Sequence, residues 1–140
     1  MANNWSKTLK NQAADKAIGA AASFYHTLGR MNWAVTGAKS DEFYKIFNDV
    51  HSKRSEMSVS LIGLKRYHKS VQDAFCDNEH KKLDLIKAKA DKVLKVDSTT
   101  GEKQELKNMV IDLANAAKSR IDYIEKISAN RKLRLFPIRR

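Results

Sequence analysis

One cysteine, one proline and five glycines among 140 residues exclude a disulfide scaffold and argue against a turn-rich β-protein. The lone thiol, Cys76, closes no intramolecular bridge, and Pro137 leaves everything before it free to run as long helices. No apolar run approaches the roughly 20 residues of a membrane span. The opening residues, Met1 to Lys7, lack the apolar stretch of a secretory leader. Acid is scarce as well: 16 Asp and Glu face 27 Lys and Arg, a formal charge of +11. These absences point to an intracellular site, cytoplasm or nucleoid, or to a virion, and away from secretion through a signal peptide.

Catalytic and metal motifs are missing too. There is no glycine-rich phosphate loop, no Gly-x-Ser-x-Gly and no His-Glu-x-x-His. Cys76 and His80 form one pair at ligand spacing with no second pair, and His26, His51 and His68 stand far apart. The reading is therefore of a protein that is not an enzyme, with no cofactor and no metal. Cys76 reads as a small buried apolar group.

What is present is helical periodicity. A first helix is expected from near Ser6, as its cap, to Met31, with Leu9, Ala13, Ala17, Ile18, Ala21, Phe24, Tyr25 and Leu28 on one side. Its middle, residues 17–23, has almost no side-chain bulk and suits close packing. Residues 32–39, with Thr36-Gly37, read as a loop. Ser40 and the acids Asp41 and Glu42 open a second helix. Its stripe runs through Phe43, Phe47, Val50, Met57, Leu61, Leu64, Val71 and Phe75, with Arg54 snorkelling to a rim and His68 in the core. A third helix is expected over Glu79 to Val96, burying Leu83, Ile86, Ala90, Val93 and Leu94. Thr99 and Glu102 have capping-box spacing before a fourth, residues 101–130, with Leu106, Met109, Val110, Leu113, Ala117, Ile121, Ile124 and Ile127 inward. The fold class is all-α: an antiparallel bundle of about four main helices over residues 1–130, one domain, with the second and fourth at its centre. Basic extensions flank it at both ends.

The stretch Trp33-Ala34-Val35-Thr36-Gly37, followed by Phe43, Phe47 and His51, resembles the Trp-x-Val-x-Gly stretch of ferritin-like DNA-protecting proteins. The iron site of that family also needs an Asp-x-x-x-Glu pair, where this chain has Arg54 and Ser55 before Glu56. No iron site is carried over.

Charge placement is the remaining signal. Residues 1–40 hold Lys7, Lys10, Lys16, Arg30 and Lys39 against Asp15 alone, and residues 131–140 hold Arg131, Lys132, Arg134, Arg139 and Arg140 with no acid. Residues 41–77 and 101–130 each balance to zero, so the two ends supply nine of the eleven excess charges. Lys and Arg neutralise phosphate irrespective of sequence, and apolar Leu133, Leu135 and Phe136 among the arginines suit stacking or docking. The ten basic residues of the two ends are thus the candidate nucleic-acid contacts. Residues 131–140 are expected to form an extended arm whose removal leaves the helices intact. The function implied is a structural nucleoprotein that coats or packages nucleic acid, DNA before RNA, and self-associates into an oligomer around it. In architecture and charge it is similar to the small helical coat proteins of filamentous DNA viruses. The alternative is a helical adaptor whose basic tail binds an acidic protein or an anionic membrane surface.

Overall fold

A computed structural model describes residues 2–37, 40–94, 99–128 and 138, with only the backbone of residues 2–4. The described residues form four helices: α1 (Ala2–Gly37), α2 (Ser40–Lys65), α3 (Asp77–Val93) and α4 (Thr100–Ser128). No strand occurs among the described residues. α1 packs along both α2 and α4, while α3 lies mainly against α4 and touches α2 more lightly. The centre is therefore α1, not α2 and α4 as the apolar stripes alone suggest. The reason lies in its small residues. Ala14, Ala17 and Ala21 are fully buried and admit neighbours on two sides, while Phe24, Leu28 and Met31 fill the wider end. Gly19 is not needed for this approach, since a side-chain carbon there would meet nothing within 4 Å.

α1 is longer than its sequence signals. At 1.5 Å per residue it spans about 54 Å. Ser6 lies inside it, exposed, rather than capping it, and the expected loop over residues 32–39 is helical as far as Gly37. Burial of Met31, Asn32, Ala34 and Val35 holds those turns against the weak propensities of Val35, Thr36 and Gly37. Gly37 ends the helix beneath the Trp33 indole, whose nearest atom would be 3.5 Å from an added side-chain carbon. At the other end the core begins near Ala14, and Trp5 to Lys10 stand mostly exposed beyond it.

α2 is shorter than its stripe. The six apolar positions from Phe43 to Leu64 are buried as expected, together with Ile46, but the helix stops at Lys65. Val71 is buried from a loop, and Phe75 is 67% exposed. The period continued by accident of spacing. Asp73 and Cys76 adopt left-handed φ of 48° and 59°, which no helix accommodates. The loop is held by side chains instead. Both carboxylate oxygens of Asp73 accept from the first amides of α3, Asp77 and Asn78, each at 3.0 Å. Ser58 of α2 donates to the Ala74 carbonyl at 2.8 Å. Arg54 is half-buried and donates to the Phe75 carbonyl at 3.2 Å. His68 is half-buried in this loop, not in the core.

α3 and α4 fall close to expectation. The Thr99–Glu102 capping box is formed: Glu102 N–H donates to Thr99 Oγ1 at 3.2 Å, and Thr99 N–H reaches Glu102 Oε1 at 3.5 Å. Of residues 131–140 only Ile138 is described. It is half-buried against the core, with Cγ1 3.5 Å from where a side-chain carbon on Gly29 would lie.

Candidate nucleic-acid interface

Four of the ten expected contacts are described, and the structure does not bring them together. Lys7, Lys10, Lys16 and Arg30 are all exposed on α1. At about 100° per residue they spread over roughly 220° of its circumference, so no single surface presents them. Arg30 is also partly neutralised, its Nη1 lying 3.3 Å from Asp49 Oδ2 of α2. Lys39, Arg131, Lys132, Arg134, Arg139 and Arg140 lie outside the described residues.

A different basic site emerges where α2 ends. Residues 57–72 contain Lys65, Arg66 and Lys69 and no acid. All three are exposed at the close of α2 and in the loop that follows. None has an ion-pair partner within 4 Å among the described residues. Summing charge over residues 41–77 conceals this cluster, because the six acids of that window cancel its cations arithmetically although none lies within 4 Å of Lys65, Arg66 or Lys69. A shorter window would have revealed it. A second group, Lys81, Lys82 and Lys92, surrounds Leu85 on the outer face of α3, where Leu85 is 62% exposed. Its neighbours Lys87 and Lys89 are instead paired, with Asp91 at 3.1 Å and with Glu105 at 2.6 Å.

Beside the first cluster lies a half-open hollow of about 370 Å³ between the loop and α4. Leu61, Val71 and Ile124 form its apolar side, and Ser70, Gln72, Ser119, Arg120 and Tyr123 its polar side. The hydroxyls of Ser70 and Tyr123 are hydrogen-bonded across it. Arg120 is held from behind. Its Nε and Nη2 both donate to the buried carboxylate of Glu79, and Nη2 and Nη1 donate to the carbonyls of Asp73 and Gln72, at 2.9 and 3.2 Å. Four of the five guanidinium N–H groups are thus committed. Its positive charge is balanced by Glu79, 4% exposed, and by Asp73 Oδ2 at 3.5 Å. In the sequence Arg120 is only one of the five cations that balance the acids of residues 101–130, and no local signal marks a partner 41 residues away.

Other titratable groups read as parts of the scaffold. Burial pushes the Cys76 thiol up to about 12, helped by the negative charge of Glu79, so a thiolate is disfavoured. Burial, then a 2.6 Å hydrogen bond to Asp91, raises the Tyr44 phenol. His51 is held below its ordinary value, chiefly by burial and then by the charges of His80 and Arg54. Its ring lies 5.6 Å from that of His80, but no group of three or more His, Cys, Asp or Glu side chains converges among the described residues. Nor, among those residues, is any helix long and apolar enough to cross a membrane.

Comparison with family models, curated proteins and solved structures finds no match to this chain.

Proposed function

We propose that this chain is a non-catalytic structural protein that coats or packages nucleic acid, largely irrespective of sequence, by self-assembling along it. The observation that supports the reading best is the exposed Lys65, Arg66 and Lys69 cluster, which has no counter-ion among the described residues. It adds three cations to the basic ends found in the sequence, on a surface that a phosphate backbone can follow. Exposed Trp5, Trp33, Val59, Phe75 and Leu85 supply apolar groups suited to contacts between copies. The antiparallel course of α1 and α2 belongs to the same reading. It is supported by the two-residue link between two long helices that pack together, and by the Arg30 to Asp49 pair joining the late turns of one to the early turns of the other.

Salt titration tests it. Affinity for unrelated DNA duplexes is expected to fall steeply with salt and to vary little with sequence. Replacing Lys65, Arg66 and Lys69 together by Gln is expected to lower the slope of log affinity against log salt by up to about 3, at roughly 0.9 per phosphate contact. A flat salt response in the unmodified protein, or a strong preference for one duplex, overturns the reading. Stoichiometry separates a coat from an adaptor: many copies per nucleic acid for the first, one per partner for the second.

A further inference from the structure

Next to the basic cluster, the hollow between the loop and α4 has the features of a site for a flat, amphipathic group. Its volume of about 370 Å³ falls at the lower end of the range for small-molecule sites, roughly 300–1,000 Å³. Leu61, Val71 and Ile124 back it from the core, almost fully buried, and the half-buried Tyr123 gives it an aromatic wall. Arg120 is fixed by its bonds to Glu79 and to two carbonyls, which leave one of its five N–H groups uncommitted among the described residues. Because Glu79 and Asp73 already balance that guanidinium, it serves as a neutral-like hydrogen-bond donor and not as an anion trap. A phosphate therefore has no reason to enter the hollow. The unbalanced charge lies in the adjoining chain: Lys69 immediately precedes Ser70 at the edge, and the exposed Lys65 and Arg66 stand where α2 closes. An aromatic wall over an apolar floor, a charge-balanced guanidinium and unbalanced cations in the adjoining chain match a nucleobase inside with its backbone phosphate outside.

We propose that this hollow receives one unstacked base of a single-stranded nucleic acid, whose neighbouring phosphates lie on Lys65, Arg66 and Lys69. The inference rests on the nucleic-acid reading above and refines it from any polyanion to a strand with accessible bases. A paired base is stacked and hidden in the duplex and reaches the hollow only by being extruded, so single strands are favoured.

The experiment compares a single-stranded oligonucleotide with a duplex carrying the same number of phosphates, at matched salt, by fluorescence anisotropy. Ser119→Trp and Gln72→Trp each fill the hollow from an exposed position, so neither threatens the fold. The unmodified protein is expected to prefer the single strand, and each filling variant to lose about 5- to 150-fold of single-strand affinity, the worth of one stacked base. Duplex affinity and its salt slope are expected to stay as they were. Filling variants that leave the single strand unaffected, or weaken both forms alike, overturn the base site while leaving the nucleic-acid reading in place. Failure of the unmodified protein to bind either form overturns that reading itself.

Discussion

Truncating Arg120 to Ala would strand Glu79, whose carboxylate is buried beneath the loop and has Arg120 as its ion-pair partner. Removing one member of a buried pair typically costs about 3–5 kcal/mol, because the other charge remains desolvated. Arg120→Ala is therefore expected to lower the urea midpoint sharply. Adding Glu79→Leu to it should recover part of the loss, and a double variant no better than the single one would refute the pairing as described. Cys76 gives a pH-dependent companion. Its thiol ionises near 9.0 in the unfolded chain and near 12 in the fold. Between these values the unfolded chain has released a proton that the folded chain keeps, so this group's contribution falls as pH rises through that window and is constant below it. Unfolding midpoints at pH 8 and pH 10.5 should therefore drop less in Cys76→Ala than in the unmodified protein. The buried, inert character of Cys76 was legible from a single cysteine without partners. The Arg120 pair was not, since charge counts ignore what the fold places opposite each charge.

At the scale of elements, the apolar period read correctly where a helix exists and misled where it ends. Leu64 is fully buried in the last turn of α2, and Leu64→Ala is expected to cost about 2–5 kcal/mol through lost burial and a residual cavity. Phe75 shared the same stripe in the sequence but is mostly exposed, so Phe75→Ala should stay within about 0.5 kcal/mol. Thermal or urea melting of the two variants side by side decides this, and equal losses would mean that the helix continues through residue 75. Periodicity cannot distinguish these two positions. What does distinguish them is the loop chemistry of Asp73, which caps α3 with both oxygens, and a left-handed Cys76 that no residue preference announces. The α1 boundary failed for the opposite reason: residues 32–39, with Thr36-Gly37, read as a loop, but burial of Ala34 and Val35 extends the helix to that glycine. The capping box of α4 was legible because all its parts lie within four residues.

For the whole molecule, the all-helical class and most of the core were readable, whereas the central place of α1 was not. Alanines signal nothing by themselves until two neighbours close on them. The arm illustrates the same limit. Deleting residues 131–140 removes Ile138 from its seat on Gly29 as well as five charges, so truncation is expected to lower the melting temperature in addition to reducing the salt slope. Replacing the five Arg and Lys by Gln while keeping Ile138 should reduce the slope by up to about 4–5 and leave the melting temperature nearly unchanged. If both variants melt alike, the Ile138 contact contributes nothing. The shared position of α1 also has a consequence for the order in which the structure forms. Its pairing with α2 joins neighbouring segments, whereas its pairing with α4 joins residues far apart and must await closure of a long loop. A folding nucleus built on α1 and α2 follows. In stopped-flow experiments, Phe47→Leu in α2 should mainly slow refolding, and Ile121→Val in α4 should mainly hasten unfolding. During synthesis, the side of α1 that α4 covers would stay bare until nearly the whole chain has left the ribosome, a period in which a chaperone or a second nascent chain has its best access.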